Sequence, residues 1–170
     1  AVLDEASEQV GSANELIEVP DLGNNRLALS GLVLSGRSKD VATVDAATAA
    51  PGASELELEA DPAVRRLRAG MELRYDFHIY NAQLDSSTGK PRLQTQVRLF
   101  REGQLAYEGK PAPFETTQAD DLKRLVAGGS IGLSRTAAPG GYTLQVVVTD
   151  LLAKEDRRTA TQWIDFEIVK

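Results

Sequence analysis

Cysteine is absent from this 170-residue chain, and histidine and tryptophan each occur only once. Without cysteine, the chain can form no disulfide, can offer no thiolate to zinc and has no cysteine nucleophile. A zinc site built from several histidines is excluded as well, because His78 is the only one. Enzyme mechanisms that need an imidazole near neutral pH therefore depend on this single side chain.

A basic excess and a long apolar run are also missing. The formal net charge is −6, which argues against a nucleic-acid partner. No apolar run approaches the roughly 18 residues that a membrane helix needs, so we predict no membrane span in this chain. The first residues, AVLDEASEQV, lack the basic start and apolar core of a signal peptide. Since the chain starts without methionine, we expect a processed protein or a domain of a longer one.

The stretch MELRYDFHIYNAQ, which starts at Met71, alternates apolar and polar side chains. Leu73 and Phe77 point one way, whereas Arg74 and His78 point the other way, and this period of two predicts a half-buried strand. His78 then lies on the polar face among charged neighbours. This position indicates a solvated histidine rather than a catalytic one, and we assign no catalytic residue.

Similar alternation recurs in ELELEAD, RLQTQVRLF, GGYTLQVVVTD and TATQWIDFEIVK. RLALSGLVL predicts a strand with apolar residues on both faces, and LAYEG predicts the second arm of a hairpin. Gly103 is placed for a tight hairpin reversal, and Gly31 marks a bulge or a close backbone contact. The last stretch allows two inward-facing sets, one with Ile164 and Phe166 and one with Trp163. We favour the first set, with Trp163 packed under a loop or partly exposed.

One segment, ETTQADDLKRLVAGG, predicts a short helix near 118–126 that Thr117 caps and Gly128 ends. Its apolar stripe consists of Leu122, Leu125 and Val126. The remaining pattern is strand after strand, separated by turn formers. We therefore predict a mainly β fold, an antiparallel immunoglobulin-like β-sandwich of seven to nine strands.

The chain divides into two parts of unequal length. Residues 1–25 are predicted to be an N-terminal arm or the end of a preceding module, since turn formers cluster before residue 26. Residues 26–170 are predicted to form the β-sandwich domain. Within it, the small and alanine-rich residues 38–54 are expected to form a mobile loop.

Residues 128–132, GGSIG, match the G-x-S-x-G pattern of a hydrolase nucleophile elbow. That motif needs a strand before the serine, a helix after it and a histidine later in the chain. Here the predicted helix precedes Ser130, and His78 also precedes it. We therefore reject a catalytic triad.

Two acidic stretches have ordinary explanations. Glu55, Glu57 and Glu59 alternate along one strand face, a pattern more typical of a protected sheet edge than of a calcium site. The sequence DSSTG from Asp85 to Gly89 lacks the order of a metal-binding loop and indicates a solvated turn. We predict no metal and no cofactor.

A polar face is the one candidate site. If the strands at 72–80 and 92–100 are neighbours, their polar side chains form a broad surface that could bind a protein or a glycan. The simpler alternative is an ordinary solvated sheet face. The candidate residues are Arg74, His78, Tyr80, Gln94, Gln96 and Arg98.

Several stretches together resemble the carboxyl-terminal region of bacterial VWFA-related proteins, in which a von Willebrand factor A domain precedes β-rich modules. They are VGSANELIEVPDL, NRLALSGLVLSG, LRYDFHIYNAQLD, PRLQTQVRLFREGQLAYEGKP and PGGYTLQVVVTDLLAKEDRRTATQWIDFEIVK, and the last is the most specific. The resemblance covers most of residues 10–170 except 38–54.

The abundant strand pattern without a coherent catalytic set predicts a non-enzymatic β-sandwich module, and the resemblance implies that it belongs to a larger exported protein with a structural or protein-interaction role. It implies an extracytoplasmic location, and partners that are another protein or neighbouring domains of the same longer chain. The alternative function is a glycan-binding module that uses the polar face around His78 and Tyr80. An enzymatic function, for example that of a carboxylate-based hydrolase, is the interpretation that we disfavour.

Overall fold

The computed structural model describes residues 2–4, 9–11, 22, 25–38, 65–114 and 121–169. These residues are mainly β and contain twelve strands, against the seven to nine predicted. The strands are β1 (Val2–Asp4), β2 (Gln9–Gly11), β3 (Ala28–Leu29), β4 (Val33–Arg37), β5 (Arg66–Arg68), β6 (Glu72–Tyr80), β7 (Leu93–Arg101), β8 (Gln104–Glu108), β9 (Ala112–Phe114), β10 (Arg124–Gly132), β11 (Gly140–Asp150) and β12 (Thr159–Val169).

The strands form two larger sheets. In the four-stranded sheet, β6 lies between β10 on one side and β3 and β4 on the other. The six-stranded sheet has the order β5-β12-β11-β7-β8, with β9 beside the first part of β7. All pairs are antiparallel except β5 with β12, which is parallel, so the sheets are not purely antiparallel as predicted. A separate two-stranded sheet joins β1 and β2.

Alternating side chains on both sheets build one core. Leu73 and Ile79 of the four-stranded sheet and Leu144 and Val146 of the six-stranded sheet are fully buried in the same apolar cluster. Apolar burial of this kind is the main force that stabilises a fold, and here it joins the two sheets. The strand pattern at Met71 and beyond is confirmed, because every second residue of β6 is buried.

A bulge separates β3 from β4. Leu29 lies opposite Ile79 and Val33 lies opposite Asp76, so one extra residue is accommodated between these two pairs. The Ser30 hydroxyl accepts a hydrogen bond from the His78 backbone N–H at 2.8 Å, in place of a backbone carbonyl. The predicted interruption near Gly31 is therefore a bulge, which locally disrupts the ladder.

The prediction of a helix near 118–126 is wrong for residues 121–126, which are the part of that segment that the structure describes. Lys123 N–H donates to the Asp121 carboxylate in a turn, and β10 begins at Arg124. Leu125 is 1% exposed and Val126 is 70% exposed, so the period is two and not that of a helix. Nine paired positions with β6 outweigh a weak helical pattern.

Other expectations have mixed outcomes. The hairpin between β7 and β8 turns on Glu102 and Gly103, whose φ angles of 50° and 76° are the positive values that a two-residue hairpin turn favours. The loop over 38–54, apart from residue 38, and the acidic strand at 55–59 lie outside the described residues. So do most residues of the predicted arm at 1–25.

Gly128 ends no helix; it lies inside β10 opposite Asp76. A Cβ at this position would lie 2.6 Å from both the Tyr75 carbonyl oxygen and the Asp76 Oδ1 atom. We expect Gly128→Ala to lower the free energy of unfolding by about 2 kcal/mol, because a paired carbonyl cannot move aside cheaply. Urea unfolding measures this change.

Gly31→Ala is the matched control for that substitution. A Cβ at Gly31 would meet no atom within 4 Å. The free energy of unfolding should then stay within about 0.5 kcal/mol of the unsubstituted value. Equal losses for the two alanine variants would show that the contact with Tyr75 is not the cause.

Candidate functional site

The predicted polar face does not exist as one surface, because β6 and β7 belong to different sheets. The loop after β6 carries the chain from the four-stranded sheet to the six-stranded sheet. Alternation along the strands places one half of the set on the outer side of each sheet. On β6 are Arg74, His78 and Tyr80, and on β7 are Gln94, Gln96 and Arg98.

His78 is half-buried on the outer side of the four-stranded sheet. Its ring stacks on Tyr80 with the ring centroids 6.2 Å apart and the planes 28° from parallel. Ser130 does not lie across from it, since β10 places Val126 opposite His78 and Ser130 opposite Arg74. Residues 128–132 run inside a paired strand, so the strand–turn–helix geometry of a nucleophile elbow is absent there.

A continuous row of side chains crosses the outer side of the six-stranded sheet. Register pairs Trp163 of β12 with Gln145 of β11, Gln145 with Arg98 of β7, and Arg98 with Glu108 of β8. Directly opposed residues in a sheet have neighbouring side chains on the same face. We call these four residues, Trp163, Gln145, Arg98 and Glu108, the Trp163 row.

Hydrogen bonds hold the Arg98 guanidinium in place. Its Nε donates to Glu108 Oε1 at 2.7 Å, Nη1 donates to Gln145 Oε1 at 3.4 Å, and Nη2 donates to Gln96 Oε1 at 3.3 Å. The Gln96 amide in turn donates to the Gly109 carbonyl oxygen at 2.9 Å. Acceptors on three strands thus fix a planar cation that would otherwise sample many rotamers.

Exposure differs sharply along this row. Gln145 is only 7% exposed although it points away from the core, whereas Trp163 is 60% exposed. The side chains of Arg98 and Glu108 are 35% and 44% exposed, so their ion pair adds little to stability in water. The row therefore combines a large accessible apolar ring with polar groups that are already oriented.

The Asp85 turn satisfies its own polar groups. The Asp85 carboxylate accepts a hydrogen bond from the Ser87 hydroxyl, and it accepts others from Ser87 N–H at 2.9 Å and from Thr88 N–H at 3.0 Å. These bonds lower the pKa of Asp85 to about 2. The stabilisation is present above the ordinary carboxyl pKa and is lost as the pH falls through about 2. These contacts describe the solvated turn that the sequence predicts.

Within the part of the chain that the structure describes, no group of three or more histidine, aspartate or glutamate side chains is arranged to hold a metal ion. The described residues also include no helix with the length and apolar character needed to cross a bilayer.

No protein-family model matches the chain, and a search of curated proteins finds no match.

Gln96 and Arg98, which share a hydrogen bond, were both predicted from the sequence as site residues. Gln145, Glu108 and Trp163 were not. The choice of the Ile164 and Phe166 face for the core already implied that Trp163 points outward. What was missing was the register, since the four residues are aligned only by the pairing of β12 with β11, of β11 with β7 and of β7 with β8. An alternating pattern gives the face of a residue but not its neighbours across the sheet.

Proposed function

We propose that this chain is a non-enzymatic immunoglobulin-like β-sandwich module of a larger exported, VWFA-related protein, and that it binds a protein partner or a neighbouring domain. The Trp163 row is the observation that carries the interaction role. Tryptophan and arginine are the residues most enriched where binding energy concentrates. A guanidinium already fixed by Glu108 and Gln145 loses little additional rotamer freedom on binding.

Three structural features support the immunoglobulin-like form of the sandwich. Two sheets share one apolar core, and consecutive strands such as β6 and β7 pass from one sheet to the other. The Tyr142 hydroxyl donates to the Ala138 carbonyl oxygen at 2.9 Å, four residues upstream near the start of β11. A tyrosine that bonds back in this way at a strand start is typical of immunoglobulin-like domains.

The VWFA relationship and the extracytoplasmic location rest on the sequence resemblance. A fusion of the chain, in its full-length context, to a reporter that is active only outside the cytoplasm tests the location. Reporter activity would support export. Activity confined to a cytoplasmic reporter would contradict it, without bearing on the Trp163 row.

Site-specific photo-crosslinking tests the proposed interaction. A photoreactive residue at Thr161, which is exposed two positions from Trp163 on the same face of β12, should yield a discrete adduct in the full-length protein under native conditions. Trp163→Ala should remove most of this adduct, since loss of a central aromatic contact commonly costs about 2 kcal/mol or more of binding free energy.

The control position is Val33, which is 56% exposed on the outer side of the other sheet. A photoreactive residue there should give no adduct that depends on Trp163. If the Thr161 adduct is no stronger than that from Val33, or if it persists in the Trp163→Ala variant, the Trp163 row is not the interaction surface.

Glycan binding is a second candidate, which the stacked rings of His78 and Tyr80 favour. The pair lies half-exposed on the outer side of the four-stranded sheet, and Arg124 lies opposite Tyr80. An aromatic face with a nearby guanidinium suits the C–H faces and hydroxyls of a sugar ring. A glycan array with wild-type protein and with Tyr80→Ala tests this candidate, and binding that survives the substitution would reject this surface.

A further inference from the structure

The Arg98 guanidinium in the Trp163 row has hydrogen-bond donors to spare. A guanidinium carries five N–H groups. Bonds to Glu108, Gln145 and Gln96 use one N–H on each of its three nitrogens, and no other described residue accepts from it. One N–H on Nη1 and one on Nη2 remain, on a side chain that is 35% exposed. Arg98 can therefore still donate two hydrogen bonds to a bound molecule.

Gln145 adds a second set of donors beside Trp163. Because its Oε1 accepts the bond from Arg98, the orientation of the amide group is determined and Nε2 is directed elsewhere. No described residue accepts a hydrogen bond from Nε2. Among the described residues, Arg101 Nε is the sole buried side-chain nitrogen or oxygen without a partner, so Gln145 Nε2 reaches the surface. The floor of the row thus offers two further N–H groups.

The Trp163 row carries no net charge. Arg98 is paired with Glu108, and the other two members of the row are neutral. Asp165, which lies two residues from Trp163 on the same face, already accepts a hydrogen bond from the Thr143 hydroxyl at 2.7 Å. A charged partner would find no unpaired charge to meet in the row. Electrostatic complementarity therefore favours an uncharged partner.

Donors without free acceptors select among the uncharged segments that could bind. A helix uses its backbone carbonyl oxygens internally. An ordinary extended segment, or a sugar, would bring N–H or O–H donors that find no acceptor between Trp163 and Arg98, and an unsatisfied donor costs binding energy. Proline has a carbonyl oxygen but no N–H. A segment rich in proline therefore presents only acceptors, together with apolar rings that suit the exposed indole.

We propose that the Trp163 row binds an uncharged, proline-rich segment of the partner protein in the polyproline II conformation. This inference rests on the proposed role of the row as the interaction surface. A polyproline II helix has three residues per turn and rises about 9 Å per turn. Two strand spacings, about 10 Å, separate Trp163 from Arg98. A proline ring can therefore pack on Trp163 while a carbonyl oxygen one turn further along accepts from Arg98, and a carbonyl between them accepts from Gln145.

Preorganisation favours the same occupant. A proline-rich segment is extended before it binds, so it loses little conformational freedom on docking. The guanidinium is likewise held in place before binding, by Glu108, Gln145 and Gln96. Both sides of the contact thus meet with small entropic cost.

Tryptophan fluorescence of the full chain tests the proposal, because Trp163 is its only tryptophan. Titration with decaproline, blocked at both ends, should shift the emission in a saturable manner. A glycine–serine peptide of the same length and a neutral glucose oligomer should leave the emission unchanged. The proposal fails if decaproline produces no saturable change up to its solubility limit. Saturation by the glucose oligomer but not by decaproline would assign the row to a glycan instead.

Gln145→Glu isolates the amide donors. The substitution keeps an oxygen that accepts from Arg98 and replaces the two N–H groups with a second oxygen, so affinity for decaproline should fall about tenfold. Gln94→Glu is the matched control, because it makes the same change on the same face of β7, opposite Thr149, and should leave the affinity unchanged. Equal losses in the two variants would show that added negative charge, and not the loss of donors, weakens binding.

Arg98→Lys is a second variant, on a side chain that is not fully buried. It keeps the positive charge beside Glu108 but loses the planar array of N–H groups, so the affinity for decaproline should again fall about tenfold. Urea unfolding should change little, because a partly exposed ion pair adds little stability. Affinity equal to that of the unsubstituted chain would contradict the role assigned to the guanidinium.

The photo-crosslink from Thr161 separates this proposal from the proposed function. Mass spectrometry of the adduct should identify a proline-rich segment of the partner. If the adduct depends on Trp163 but maps to a segment without proline, the row remains the interaction surface and the proposed partner chemistry is wrong. An adduct that does not depend on Trp163 would overturn the interaction role itself.

Discussion

Phe166→Ala should destabilise the fold by about 3–5 kcal/mol, the range for removal of a large aromatic side chain from a packed core. Phe166 is 4% exposed. Its ring stacks on that of its cross-strand partner Tyr142, with the ring centroids 5.7 Å apart. The alanine variant would leave a cavity beside Tyr142 and would also lose this aromatic contact. Urea unfolding at neutral pH measures the loss.

Trp163→Ala is the control, since Trp163 lies on the same strand but is 60% exposed on the outer side. Its removal should change the free energy of unfolding by less than about 1 kcal/mol, although the lost side chain is larger. The contrast separates burial from size. If the Trp163 variant were as unstable as the Phe166 variant, the assignment of Trp163 to an accessible surface would be wrong.

The sequence predicted faces well because a face depends only on local alternation. The inward set of β6 and the choice of Ile164 and Phe166 for the core followed from period two, and burial confirms both. Pairing is different, since it depends on which distant strands share the core. The pattern therefore gave no warning that β6 pairs with β10, or that β7 pairs with β11.

The helix error has the same origin. Taken alone, the positions of Leu122, Leu125 and Val126 are as compatible with the apolar stripe of a helix as with a strand. Thr117 and Gly128, which flank them, are residue types typical of helix ends. Partners on β6 decide between the two, because Ile79 lies opposite Leu125 and the pair is buried. Gly128 has its own reason to be glycine, which is the nearby Tyr75 carbonyl oxygen and not the end of a helix.

Asp150→Ala should lower the free energy of unfolding by about 3 kcal/mol, because its carboxylate is a fully buried acceptor. Asp150 Oδ2 accepts a hydrogen bond from Gln83 N–H at 2.8 Å, and Oδ1 accepts one from Leu152 N–H at 2.9 Å. Gln83 lies in the connection between the two sheets, and Leu152 lies in the turn after β11. The side chain therefore links the passage between sheets to the end of a central strand.

Two further variants separate the hydrogen bonds from the negative charge. Asp150→Asn keeps one acceptor oxygen but turns an amide N–H₂ toward the second donor, so its loss should lie between zero and that of the alanine variant. Asp156→Ala removes an exposed carboxylate from the β11–β12 turn and should change stability by no more than about 0.5 kcal/mol. If Asp150→Ala unfolds at the same urea concentration as Asp156→Ala, the buried carboxylate does not hold the two segments together. A large loss confined to Asp150 would instead identify this side chain as the polar contact that fixes how the chain passes from one sheet to the other.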